Sequence, residues 1–519
     1  MVRLVSRPTV VRPLLVASIH PSRLGDYLVC RIRTSHLDTF HCVLMVEALI
    51  STLGRAGIIS HPLPNDIIPT SNQCRKSPIW SRYVQNRSAK KLKKMRLPDY
   101  KGKFPVGVTT LTKPIRPSRV CGSARFNGRP ALKLEEIAYS VYYPTTDDRP
   151  HGNRGVNWLP RPLHIATAGW AKFPGLTGYY VGLPGHPYRT GPQIESPTSR
   201  ETDSSAETLT NSTAKWPLVI FSHGSLAGGR FTYSDYCGRL ASQGMVVIAL
   251  EHRDGSGPSV MPTDEETGKP IPKLYFQNDD ISWEEQPKGK LPLRVEQLKF
   301  RIREVYESYE SFKHIVQGNR GDTVSMDNFS GWDSFKDQVD FSKILLTGHS
   351  FGGLSLLSSP PPEGHNQLPI DKVVLLDPWM DPLPLPGTLP VAYETRPPLL
   401  IMNSEGFTLW KEHFEVLQQV VFDWRKSGGD ECASLVTIVR SQHHYYSDFG
   451  AFMPFGKARE LGLLVLDIAH KLTMAYNNGS LASELKGKRS MEIKPIPGKD
   501  KYGESKREIV GQPGEVIIH

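Results

Sequence analysis

Cysteine is scarce in this chain: six in 519 residues, at Cys30, Cys42, Cys74, Cys121, Cys237 and Cys432, with none of the close pairs that zinc sites or dithiol redox chemistry use. That spacing argues against a cysteine metal site and fits a reducing compartment. Long apolar runs are also missing. A membrane-spanning helix needs about 18 such residues, and the best stretch, His41 to Ile50, is short and contains Glu47. The N-terminal region carries Arg3, Arg7 and Arg12, but Pro8 and Pro13 interrupt any apolar helix, so a secretory signal is not expected. A cytoplasmic location is expected, with an organellar one as the alternative because few acids precede Asp38. No internal repeat is apparent.

The net charge of +11 would suit a nucleic-acid or membrane partner if it were spread over a face. It is not. Residues 1–103 hold 18 Lys and Arg against 5 Asp and Glu, which leaves the remaining residues at −2. No nucleic-acid motif stands outside that leader, so no nucleic-acid partner is expected. The sequence divides into a basic extension at 1–95, a catalytic domain at 105–475 and a tail at 476–519. The extension lacks sustained periodicity, reads as disordered or targeting, and gives way to order near Gly107. A Ser/Thr/Glu-rich stretch, Gln193 to Lys215, offers almost nothing to bury and reads as an insertion within the domain.

Within the domain, strands alternate with helices. ALKLEEIAYSVYYP (Ala131 to Pro144) has strand alternation and reads as the first strand of the sheet. PLVIFSHG, MVVIAL, KILLTG, KVVLLD and LLIMNSE are short apolar runs that end in polar or glycine-containing turns, and Leu435 to Val439 reads as the last strand. Val295, Leu298, Ile302, Val305, Tyr309, Phe312 and Val316 recur at helical spacing and are expected on one side of a helix. Lys457 to Leu472 reads as a closing helix. The pattern predicts a mainly parallel sheet with helices on both faces, whose ligands bind beyond the carboxyl ends of the strands.

Gly348-His349-Ser350-Phe351-Gly352 matches G-x-S-x-G directly after a strand, the setting that presents a nucleophilic serine at a sharp turn into a helix. A serine needs a histidine to take its proton and a carboxylate to orient that histidine. In the α/β-hydrolase arrangement both follow the serine in the chain. Asp377 ends KVVLLD and Glu405 ends the next strand, so either is a candidate acid. His443 and His444, in SQHHYYSDF, are candidate bases; His365 and His413 sit in less suitable segments. Two backbone donors for an oxyanion are expected at Phe351 and, after His223-Gly224, at Ser225. A third ligand that would make the His443-His444 pair a zinc site is not evident, and neither a metal nor another cofactor is expected.

Those blocks resemble the platelet-activating factor acetylhydrolases of the plasma and intracellular type II kind. PLVIFSHGSLAGGRFTYSDYCGRLASQGMVVIALEHRDGS, LLTGHSFGG, LLDPWMDPL, PLLIMNSEGF and HHYYSDF follow the order of that family, and NWLPRPLHIATAGWAKF is similar to its aromatic segment near the substrate pocket. The resemblance covers about residues 105 to 472. It implies an α/β-hydrolase fold with Ser350 as nucleophile, Asp377 as acid, His443 as base, and Phe351 and Ser225 as oxyanion donors, although animal members usually carry leucine where Ser225 stands. It assigns His252, Arg253 and Asp254 to structural support. It further implies a metal-free hydrolysis of short or oxidised acyl chains from the glycerol 2-position of phospholipids. Trp158, Trp170, Phe173, Tyr179 and Tyr180 would then form an apolar rim touching a lipid surface, the alternative being ordinary core aromatics. A soluble carboxylesterase or polyester-type hydrolase is the alternative enzyme, and a catalytically silent scaffold the alternative of another class.

Overall fold

The computed structural model describes residues 97–145, 156–172, 189–190, 215–226, 228–327, 329, 331–355, 361–383, 396–452, 456–499 and 505–519. The extension at 1–95 lies outside them, as does the Ser/Thr/Glu-rich stretch except for Lys215. The strands of the central sheet are β1 (Val106–Val120), β2 (Lys133–Pro144), β3 (Trp216–Ser222), β4 (Val246–Glu251), β5 (Val324–Ser325), β6 (Val339–His349), β7 (Ile370–Leu376), β8 (Leu399–Ser404) and β9 (Ala433–Ile438). A C-terminal hairpin follows, β10 (Ile493–Lys499) and β11 (Ser505–Ile509), and then β12 (Val516–Ile518). The ten-stranded sheet runs β5-β1-β2-β4-β3-β6-β7-β8-β9-β12. Its middle, from β4 to β9, is parallel, and the strands added at both edges are antiparallel.

Why these strands stay in the middle follows from their pleat. Successive side chains point to opposite faces, and in β3 Leu218 and Ile220 enter one core while Val219 and Phe221 enter the other. β7 repeats this with Val373 and Leu375 against Val374 and Leu376. A strand apolar on both faces must be covered on both. Helices α1 (Leu163–Ala171), α2 (Ser234–Ser242), α3 (Pro292–Val316), α4 (Phe351–Ser355), α5 (Glu405–Leu409), α6 (Lys411–Gly428), α7 (Asp448–Phe452) and α8 (Gly456–Asn477) follow in chain order; α3 and α6 cover one face, α2 and α8 the other. This is the layered, mainly parallel α/β-hydrolase arrangement expected from the sequence. Burying a side chain such as Phe221 fully contributes about 1.5–3 kcal/mol, and this is repeated across all six parallel strands.

Two local expectations change. Ala131 to Pro144 supplies the second strand, not the first: β1 precedes it and pairs with it antiparallel. Val295 is 39% exposed in the first turn of α3, whereas the other six residues of its series are buried. The tail was only delimited from the sequence; among its described residues β12 hydrogen-bonds to β9 at the sheet edge.

Candidate active site

The G-x-S-x-G segment closes β6 and opens α4 (Phe351–Ser355) with almost no loop between them. Ser350 takes a positive φ of 55°, a left-handed conformation that non-glycine residues rarely adopt. Its N–H donates to the Leu376 carbonyl at 2.9 Å, tying the turn to the end of β7. The flanking glycines are required by close approach. A Cβ on Gly348 would lie 2.8 Å from the Gly352 carbonyl carbon, and one on Gly352 would lie 2.1 Å from the Ser222 carbonyl oxygen.

Asp377 follows β7 with φ of 45° and is completely buried. Its Oδ1 accepts from the Ser404 N–H and, with the Asn403 amide oriented to satisfy both its ends, from the Asn403 side chain at 2.9 Å. Its Oδ2 faces His443, which stands in a short 3-10 turn (His443–Tyr446) after β9. His443 Nδ1–H donates to Asp377 Oδ2 at 2.7 Å, and Ser350 Oγ–H donates to His443 Nε2 at 2.9 Å. The carboxylate can only accept, which fixes this tautomer. The imidazole is stacked on the Phe407 ring at 4.3 Å with 13° between planes, and lies 4.6 Å from the His349 ring.

His349 was not singled out in the sequence, yet it ties the Ser350 segment to the His443 segment. Its Nε2–H donates to the His443 carbonyl at 3.0 Å, and its Nδ1 accepts from the Tyr233 hydroxyl at 2.8 Å. Tyr233 Oη in turn accepts from the Gly224 N–H at 3.1 Å. Burial, with a further contribution from His443, holds the His349 pKa well below its ordinary value. Asp448 anchors the other side of the base segment. It accepts from Trp158 Nε1 (2.8 Å) and from the Ser234 and Asp235 N–H groups (3.0 and 2.9 Å), so a remote carboxylate serves the N-terminus of α2. Burial and Asp235 push its pKa up to about 7 against those donors.

The alternative acid and base stand elsewhere. Glu405 accepts from Arg440 Nη1 at 3.0 Å and from the Ile509 N–H at 3.0 Å, so its carboxylate is committed to Arg440 and β11. The His444 ring lies against Tyr445 at 4.6 Å, and burial and then His443 lower its pKa to about 4. His413 Nε2 accepts from the Met380 N–H at 3.1 Å, and His365 Nε2 lies 3.4 Å from Glu307. His223 is buried, its Nδ1–H donating to the Gly224 carbonyl at 2.6 Å.

Phe351 opens α4, so its N–H has no acceptor within that helix. Ser225 follows β3 in a turn that passes over Ser350: a Cβ on Gly224 would lie 3.2 Å from Ser350 Cβ. Among the described residues nothing accepts from the Ser225 N–H, whereas its carbonyl accepts from the Gly228 N–H at 3.1 Å.

The family described as platelet-activating factor acetylhydrolase, isoform II, matches residues 89–482, well over half of the chain. The chain belongs to this family. It is 31% identical over 245 residues to the platelet-activating factor acetylhydrolase of Gallus gallus, covering 45% of this chain and 53% of that one. It is 28% identical over 348 residues to the Bos taurus protein of the same name, covering 65% and 68%. The chain thus spans about half the length of the first of these relatives. A ferulic acid esterase from Streptomyces cinnamoneus aligns in structure at 16% identity with a TM-score of 0.45, over 82% of this chain and 99% of that chain.

In this member of the family the two readings of the aromatic segment are decided for Trp158 and Trp170. Trp158 and Trp170 are only 1% and 2% exposed and pack with Phe231, Phe449 and Phe452. Trp158 is fixed by its hydrogen bond to Asp448, which draws the indole inward. Both tryptophans are core aromatics; Phe173, Tyr179 and Tyr180 lie outside the described residues. Among the described residues no group of three or more His, Cys, Asp or Glu side chains is arranged to hold a metal ion. Likewise, no helix among them is long and apolar enough to cross a membrane.

Proposed function

We propose that this protein is a serine-dependent ester hydrolase acting on glycerophospholipids with a short or oxidised 2-acyl chain. The observation that carries the reading is the continuous hydrogen-bonded line from Ser350 through His443 to Asp377. His443 Nε2 takes the Ser350 proton as Oγ attacks the ester carbonyl, and Asp377 holds the ring and stabilises the imidazolium. The carbonyl oxygen becomes an oxyanion facing the Phe351 and Ser225 N–H groups. Collapse of the tetrahedral intermediate breaks the ester C–O bond, and the leaving lysophospholipid alkoxide takes the proton from His443. Water then attacks the acyl-serine with the same base, releasing the free acid and regenerating Ser350. The family, named for hydrolysis of a 2-acetyl phospholipid, supports the substrate class.

Burial of Trp158 and Trp170 favours a second reading, in which the same residues cleave soluble esters without a lipid interface. Parallel turnover of a 2-acetyl glycerophospholipid and a short aryl ester distinguishes the two. The first reading expects efficient phospholipid hydrolysis; turnover of the aryl ester alone would replace it with the second. Covalent labelling of Ser350 by a fluorophosphonate is expected under both, and its absence would leave the silent scaffold.

A further inference from the structure

Behind the nucleophile lies an arginine that the proposed chemistry does not use. Arg301, on α3, is fully buried. Its Nε donates to Asp254 Oδ2 at 2.8 Å, Nη1 to the His223 carbonyl at 2.6 Å and Nη2 to Ser256 Oγ at 2.6 Å. The guanidinium also lies over the Phe351 ring, 4.6 Å from its centroid. Every one of these partners sits just after β3, β4 or β6, at the end of the sheet where Ser350 stands. Asp254 is secured by Ser256, whose N–H and hydroxyl donate to Oδ1 at 3.0 and 2.6 Å. The Ser256 carbonyl accepts from the Leu226 N–H at 2.8 Å.

The turn after β3 is thereby fixed peptide by peptide. The peptide joining His223 to Gly224 is held at its carbonyl by Arg301 and at its N–H by Tyr233. The next peptide is held at the Gly224 carbonyl by His223 Nδ1–H. In a planar trans peptide the carbonyl and N–H point in opposite directions, so the Ser225 N–H is turned away from His223. Leu226 N–H and the Ser225 carbonyl are both occupied. Among the described residues of the turn, the Ser225 N–H is thus left without an acceptor, while the arginine that braces the turn also presses on the side chain of the residue carrying the second donor.

We propose that Arg301 is a positioning residue that sets the Ser225 and Phe351 N–H groups at the separation an oxyanion requires. This rests on the reading of Ser350, His443 and Asp377 as the reacting groups. A buried ion pair is a poor way to gain stability, because desolvation offsets much of the attraction. A planar, rigid fork is a good way to hold three loops in register. Lysine keeps the charge but not the fork, so Arg301→Lys isolates the geometry.

The test compares wild type, Arg301→Lys and Ser256→Ala, each checked for cooperative thermal unfolding, using a 2-acetyl phospholipid and a trifluoromethyl ketone analogue. The ketone is attacked by Ser350 Oγ, the proton passes to His443 and the carbonyl becomes an oxyanion, so its affinity reports the two donors. Arg301→Lys should lower kcat about 10- to 100-fold with KM nearly unchanged, and weaken the ketone in parallel. Should Arg301→Lys fail to fold, Ser256→Ala carries the test with an expected loss of about 3- to 10-fold in both quantities. A folded variant with unchanged kcat, or with lowered kcat and unchanged ketone affinity, would overturn the proposal. Wild type that neither turns over esters nor reacts with a fluorophosphonate at Ser350 would overturn the underlying reading and the proposal with it; a reactive wild type with indifferent variants overturns the proposal alone.

Discussion

The loops at the carboxyl ends of β3, β4, β6 and β7 differ from the antiparallel edge formed by β1 and β5 in how each spends its charges. Beyond the parallel strands, Arg301 and Asp254 are both fully buried, and each side-chain hydrogen bond of Arg301 goes to a loop near Ser350. At the edge, Arg116 and Asp322 approach to 3.7 Å with side chains 71% and 67% exposed. The first pair is dehydrated and directional, so removing one partner strands the other. The second is screened by water and free to swing, and such pairs contribute about 0–1 kcal/mol. An ion pair therefore indicates function here through what its partners hold, and its presence alone says little.

The contrast is most severely tested at the nucleophile. Ser350→Ala should reduce ester turnover by about 10⁴-fold or more while the unfolding transition stays in place; steady-state kinetics with calorimetry checks both, and retained activity would remove the site from the functional side of the comparison. Asp377→Asn should cost about 10³- to 10⁴-fold in kcat, because an amide in place of Oδ2 no longer fixes the His443 tautomer. Glu405→Gln should leave kcat within a few-fold, since Glu405 faces Arg440 and β11. A larger loss for Glu405 than for Asp377 would exchange their roles.

Acid should reach the buried region first. His223 has its pKa lowered to about 4, by burial and then by Arg301, from an ordinary value of 6.5. The unfolded chain takes up a proton there at a higher pH than the folded one, so this contribution is complete above pH 6.5 and is lost as pH falls toward 4. The loss is roughly 3 kcal/mol for this group, measurable as a falling denaturant midpoint; a midpoint that holds steady across that window would show His223 to be solvated. The smallest effect belongs to the edge. Arg116→Ala should shift stability by less than about 0.5 kcal/mol, and a shift of several kcal/mol would erase the distinction between the two regions.

Legibility in the sequence follows the same division. The parallel strands are legible because burial on both faces demands continuous apolar runs, and VVLL, LLIM and KILL have no other economical placement. β1 was hidden: VGVTTLTKPIRPSRV mixes threonine, basic residues and two prolines, as a strand near a sheet edge can. The tail was hidden because its pairing strand has only three residues. Ser350 announced itself through glycines that close approach requires; strand-end position offered Asp377 beside Glu405 and His443 beside His444, and the family resemblance chose within each pair. The supporting residues gave no such signal. Tyr233, His349 and Arg301 have no distinctive spacing, and their importance appears only when distant segments meet. Trp158 left two readings open for the converse reason, since an aromatic segment reads alike whether it faces lipid or a buried carboxylate.

The crowding of imidazoles around His443 has a consequence for the fate of a borrowed proton. His349 already carries hydrogen on the nitrogen facing the His443 carbonyl, and its other nitrogen is filled by Tyr233. His444 is too weak a base to compete, with a pKa near 4. In the proposed reaction a proton lifted from Ser350 would thus meet neighbours unable to drain it sideways. It would wait on His443 until the departing alkoxide collects it, which makes the acylation step self-contained in protons.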